Sequence, residues 1–169
     1  MGMPGRDEAA PYYFKYIDRI TTDDVVGHLG RQLEESLSFF GGITEARSLY
    51  RYAPDKWSIR QVLNHVNDTE RVFLFRALWF ARGFESPLPG YDEGPAAGAA
   101  RADECPWSSH VEEFRRVRLA SVSFFQNLPA EAWMRRGIAS DNPFTVRALA
   151  YILAGHLAHH STVLQERYS

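Results

Sequence analysis

The stretch Val146-Arg147-Ala148-Leu149-Ala150-Tyr151-Ile152-Leu153-Ala154-Gly155-His156-Leu157-Ala158-His159-His160-Ser161-Thr162-Val163-Leu164 decides how the rest of the chain is read. Val146, Leu149, Leu153, Leu157 and Leu164 fall on one side of a helix with about 3.6 residues per turn. Pro143 ends whatever precedes, and Thr145 offers the side-chain oxygen of an N-cap, so a helix is predicted from there to about Arg167. Two positions on the same side break the apolar stripe. His156 and His160 are spaced i, i+4, which turns both imidazoles towards whatever the stripe packs against. His159 lies ~100° round from His160, in line with Ile152, Gly155 and Thr162, and is predicted to flank the pair.

Three further segments share the helical period. Val25, Leu29, Leu33 and Leu37, widened by Val26 and Phe40, predict a helix over about Asp23 to Phe40, capped by Thr21 and stopped by Gly41-Gly42. Ser58 and Gln61 form a capping-box pattern for a second helix through Val62, Val66, Phe73 and Trp79 to Arg82, with Gly83 as its stop. Ser109 and Glu112 make the same pattern for a third, through Val111, Phe114, Val117 and Phe124 to about Leu128. No stretch alternates long enough for strands to be more than minor, and the prolines all fall where helices are expected to end or be absent.

Four helices of roughly 27 to 37 Å predict an all-α four-helix bundle. The connection from Gly83 to Trp107, with Gly90, Gly94, Pro95 and Gly98, is long enough to be a crossover running the length of the bundle, or a lid. As a crossover between helices two and three it makes them parallel neighbours, the up-down-down-up order. The 169 residues suffice for one core and are tight for two, so 1–169 is read as a single domain.

Composition narrows the function. With 45% hydrophobic and 14% aromatic residues the chain is not a disordered one. Its net charge of -2 and lack of a basic run give no support to nucleic-acid binding. No stretch approaches the ~18 apolar residues of a membrane span, and the first ten residues hold no apolar signal region. A cytoplasmic protein with a small-molecule substrate is expected. Cys105 is the single cysteine, so an intramolecular disulfide is excluded, and Glu104-Cys105-Pro106 reads as loop.

His65 lies beside the stripe of Val62 and Val66, about 10 Å from the start of its helix, and His160 about 10 Å from the end of its own. If those helices run antiparallel, the three imidazoles of His65, His156 and His160 share one level; if parallel, they differ by roughly 10 Å. Core histidines bonded to neighbours are the plain alternative. Three neutral imidazoles bind a divalent first-row metal well and leave positions open for water or substrate. Zinc, nickel or another ion fits such a set.

Lys56-Trp57-Ser58-Ile59, followed by His65 and Glu70, and His156-Leu157-Ala158-His159-His160 near the C-terminus resemble the DinB/YfiT-like superfamily of bacterial proteins. The resemblance covers nearly the whole chain and implies an up-down-down-up bundle. It also implies a metal held by one histidine of helix two and a pair on helix four, here His65, His156 and His160. Many relatives have Gly-Gln directly after the last histidine, where this chain has Ser161-Thr162. Members of that family include S-transferases using low-molecular-weight thiols (bacillithiol or mycothiol), an isomerase, and hydrolases without an assigned substrate. The resemblance therefore implies a metal-dependent transferase or hydrolase; the alternative is a non-catalytic metal- or ligand-binding bundle of a stress response.

Other residues have weaker readings. Asp68 and Glu70 either orient a ligand or are exposed carboxylates. The apolar run Val72 to Phe80 is buried under the long connection or forms a homodimer contact. Arg135-Arg136 either meets an anionic substrate or, as is commoner for such a loop pair, stands solvated, and His28 and His110 read as residues of polar faces.

Overall fold

The computed structural model describes residues 2–168. Among these, six α-helices form: α1 (Phe14–Ile17), α2 (Val25–Gly41), α3 (Ile59–Ala81), α4 (Glu93–Ala99), α5 (Trp107–Gln126) and α6 (Val146–Arg167). The four long ones are those expected, and they make a helical bundle in which α3 packs on α5 and α6, and α2 packs on the same two. The short α1 lies against α6. No described helix is long and apolar enough to cross a membrane.

Capping explains where the helices begin. Ser58 and Gln61 form both halves of the capping box on α3, and Thr145 accepts from the Ala148 N–H at 3.0 Å on α6. On α2 the cap is Asp24, which accepts from the Gly27 N–H at 2.9 Å, and not Thr21. A carboxylate at that place also favours the positive end of the helix. The Ser109–Glu112 box does not form. The chain turns helical at Trp107, directly after Pro106, whose carbonyl already accepts from Ser109, while Glu112 is drawn to Arg115 and Arg116 at 2.7 Å each.

Two parts of the fold were not expected. The long connection contains α4 and a 3₁₀ turn at Ala102–Glu104, and Pro95 sits inside the first turn of α4, where a missing N–H costs nothing. Between α5 and α6, strands β1 (Arg136–Ala139) and β2 (Asn142–Thr145) form an antiparallel hairpin. Ser140 and Asp141 at its tip both have positive φ, 50° and 59°, as a two-residue turn with the strands' own twist requires. Gly137 is needed there, because any Cβ would fall 2.0 Å from the Phe80 ring. The apolar run on α3 splits: Phe73, Ala77 and Phe80 are buried, while Phe75 and Leu78 are exposed.

The interior holds two apolar clusters. One joins Leu29, Phe73, Ala77, Phe80, Phe125 and α6 from Val146 to Ala154. The other joins Leu33, Phe40, Val62, Val66, Phe114, Leu157 and Leu164. On every long helix a buried polar residue falls between the stretches given to each cluster: Gln32 on α2, Asn67, Thr69 and Glu70 on α3, Arg118 on α5 and His156 on α6. A polar layer thus crosses the bundle between two apolar halves; His156 belongs to it, and His65 and His160 lie at its edge towards the second cluster.

Candidate metal centre

Helical spacing puts His156 and His160 one turn apart on α6, and the packing of α3 on α6 brings His65 against them. The Nε2 atom of His156 lies 3.1 Å from Nε2 of His65 and 3.1 Å from Nε2 of His160. One ligand atom from each of the three falls within 4.8 Å of the others. His65 and His156 are 4% exposed. His159 lies outside the group and packs edge-on against Tyr16 and His160.

Neighbouring side chains fix the rings. Thr69 Oγ1 stands 3.4 Å from Nδ1 of His65, the Trp57 ring covers His65 at 5.1 Å, and the Tyr16 ring meets His156 at 5.3 Å. Tyr16 gets that close because residue 155 is glycine: a Cβ there would sit 2.0 Å from the Tyr16 carbonyl oxygen. Burial lowers the proton affinity of all three imidazoles. It pushes His156 well below its ordinary value, aided by the facing His160 and His65, and His160 down to about 3. His65 is lowered by burial against the opposing pull of Glu93.

Three neutral imidazoles bring one N–H and one lone pair each. Two Nε2 atoms facing a third cannot all be paired among themselves, and buried lone pairs left facing one another repel. A divalent cation resolves that donor set. Nitrogens bound about 2.0–2.1 Å from one ion stand roughly 3.0–3.4 Å apart, which matches the separations of His156 from both partners.

Residues 28–164 match the family model of the DinB superfamily. The chain belongs to the DinB superfamily. Its fold is similar to a solved structure, YfiT from Bacillus subtilis, with a TM-score of 0.71 over 96% of this chain and 90% of that one, at 16% identity. That protein is described as a probable metal-dependent hydrolase with an unusual four-helix bundle topology. No curated protein matches the sequence.

Two cavities reach the histidines of this DinB-superfamily chain. A larger one of about 610 Å³ is lined by His156, Thr69, Arg76, Tyr13, Tyr16 and Glu93 among others. A smaller one of about 270 Å³ is lined by His160, His159, Trp57 and Tyr52. Glu93, on α4 in the long connection, brings a carboxylate oxygen to 4.0 Å from Nε2 of His65. Thr69, Tyr16, Arg76 and Glu93 carried no signal in the periodicity, because only the packing of distant elements places them.

The remaining expectations divide. Glu70 is neither exposed nor beside a histidine ring nitrogen: it is buried and paired with Arg118, its Oε2 2.8 Å from Nη2. Asp68 is half-buried and accepts from Asn64, so neither carboxylate orients His65. His110 is buried, not on a polar face, and its Nε2 lies 2.9 Å from the Ala102 carbonyl oxygen. His28 is half-buried with Nε2 unpartnered. Arg135 donates to the Ala81 carbonyl and Arg136 pairs with Asp7 at 2.6 Å, so the pair ties the hairpin down instead of standing free. Cys105 is exposed.

Proposed function

We propose that this protein is a metal-dependent enzyme acting on a small molecule, with His65, His156 and His160 as ligands of a divalent ion, zinc or nickel. The observation that carries the reading is the convergence of three imidazole nitrogens from α3 and α6, two of them on buried rings, with one N–H too few or one lone pair too many to pair among themselves. When bound, such an ion acts as a Lewis acid that acidifies water or a thiol within its reach. The protein's own part is to hold the imidazoles neutral by burial, to orient His65 through Thr69, and to brace the His65 ring with Trp57 and the His156 ring with Tyr16.

Hydrolysis of a small substrate in the larger cavity is the first reading, and the description of YfiT supports it. Transfer to a low-molecular-weight thiol is the second, favoured by the two separate cavities at the cluster, which suit two reactants. The same reading takes the chain as one domain in up-down-down-up order. Contacts support that order: Asn67 meets His110 and Glu70 meets Arg118 along α3 and α5, whereas Phe73 meets Phe144 just before α6, and Arg47 beyond α2 meets Tyr168 beyond α6.

Zinc titration by calorimetry tests the ligands. His65→Ala, His156→Ala and His160→Ala are each expected to weaken zinc binding by about a hundredfold or more, and His159→Ala by no more than a few-fold. Equal affinity across the four would overturn the assignment. Incubating the metal-loaded protein with ester and amide substrates, and separately with bacillithiol or mycothiol plus an electrophile, distinguishes hydrolysis from transfer. Zinc binding without turnover of either would leave a binding protein.

A further inference from the structure

Arg76 is the exception among the buried arginines. Arg60 and Arg118 are each buried with a carboxylate, Glu45 and Glu70 respectively. Arg76 is 4% exposed, and among the described residues it takes part in no ion pair. Its Nη2 donates to the Ser140 hydroxyl at 2.8 Å and to the Pro89 carbonyl at 3.3 Å, and Tyr13 is its other hydrogen-bonding neighbour. All three partners are neutral. A guanidinium is always charged, and a buried charge without a counter-ion is costly to hold unless a ligand supplies one.

The same side chain lines the larger cavity, whose wall also includes His156. Its volume of about 610 Å³ suits a small ligand. Tyr12, Tyr13, Tyr16, Val72 and Phe73 give that wall an apolar, largely aromatic character. Two acidic residues line it as well. Asp92 is occupied with capping the Gly94 N–H at 3.1 Å, and Glu93 is largely exposed beside His65. One fixed positive charge sharing the lining with two acidic groups attracts a single negative charge and penalises a doubly charged phosphate more.

We infer that Arg76 is the anion-binding residue of this cavity, and that the substrate carries a carboxylate joined to an apolar body of about aromatic size. The planar fork of a guanidinium matches the two oxygens of a carboxylate, and the bonds to Ser140 and Pro89 hold it in place before the ligand arrives. Arg76 would then set which end of the molecule lies away from the histidines. The inference rests on the proposed function only in taking this cavity as the substrate site.

Calorimetry on the metal-free protein tests it with phenylacetate, its neutral counterpart phenylacetamide, and inorganic phosphate as probes. Phenylacetate is expected to bind at least about tenfold more tightly than phenylacetamide, and more tightly than phosphate. Arg76→Gln should abolish the preference for acid over amide while leaving zinc affinity within a few-fold of the parent. Equal binding of acid and amide by the parent protein, or binding of neither, overturns the inference without any variant. Tighter binding of phosphate overturns the carboxylate assignment, and a preference that survives in folded Arg76→Gln overturns the role of Arg76. Loss of zinc binding in the parent with the acid preference intact would defeat the metal reading alone.

Discussion

Arg118 and His156 lie in the same polar layer, between the same two apolar clusters, and their surroundings differ in kind. Arg118 is fully buried, and its Nε and Nη2 donate to Oε2 of Glu70 at 3.1 and 2.8 Å. Its Nη1 donates to Gln32 at 3.2 Å, and the Gln32 amide donates onward to the Ala154 carbonyl at 3.0 Å. Charge is balanced and donors face acceptors; only Glu70 Oε1 is left over. His156 instead faces two other ring nitrogens, each held neutral by burial. The first group balances its charge within the protein and ties α2, α3, α5 and α6 together. The second brings three like ring nitrogens face to face, a donor set that suits a cation. Equal burial therefore says little about role; what separates the two is whether the donors and acceptors match.

The comparison breaks most directly at Glu70. Glu70→Ala leaves the Arg118 guanidinium buried without its counter-ion, and is expected to cost about 3–5 kcal/mol of folding stability in urea titration. The double replacement Glu70→Leu with Arg118→Met, which removes both charges and keeps the volume, should cost far less. If the single change costs under about 1 kcal/mol, the pair is not what it looks like, since surface pairs are worth that much.

How much of this could be read beforehand follows from the range over which each feature is set. Helix existence and the pairing of His156 with His160 needed only the helical period, a local quantity, whereas bringing His65 level with them also needed the antiparallel run of its helix, which the long connection allowed. The hairpin escaped because its tip is Ser140-Asp141, lacking the glycine that usually marks a two-residue turn of positive φ. Pro143, taken as a stop before α6, instead sits in β2 opposite Ile138. The Ser109–Glu112 pattern was present but lost to a start three residues earlier, as Glu112 found arginines on its own helix. The partner of Glu70 and the role of Arg76 were not legible. One is matched by an arginine 48 positions away, the other is held by a serine 64 positions away, and no periodicity reports such distances.

A smaller effect sharpens the histidine side. His65, His156 and His160 all bind protons less readily in the folded protein than their ordinary value of 6.5, and burial is the largest cause for each. Between that value and the folded ones, the unfolded chain carries the extra protons. Stability of the metal-free protein is therefore full above about pH 6.5 and falls as pH drops, by up to about 1.4 kcal/mol per pH unit for each histidine still neutral. His28 and His159 shift in the same direction. Urea midpoints from pH 7.5 to 5 should show the decline, and His156→Gln with His160→Gln should flatten it. A flat parent profile would mean that the imidazoles protonate freely and are not held as neutral ligands.

The smallest effect belongs to Thr69. A ring whose Nε2 lone pair faces the cluster must carry its proton on Nδ1, and the Thr69 hydroxyl, at 3.4 Å, is the acceptor placed to favour that tautomer. The contact is long, so it biases the ring more than it binds it. Thr69→Val, nearly the same shape without the oxygen, is expected to weaken zinc binding a few-fold, less than about tenfold, and to change stability by under about 1 kcal/mol. Nitrogen chemical shifts of His65 in the metal-free protein give a readout that packing loss would not move: the Nδ1–H form should dominate in the parent and give way to a mixture in the variant. An unchanged tautomer with unchanged zinc affinity would show that α6 alone, through His156 and His160, dictates how His65 presents itself.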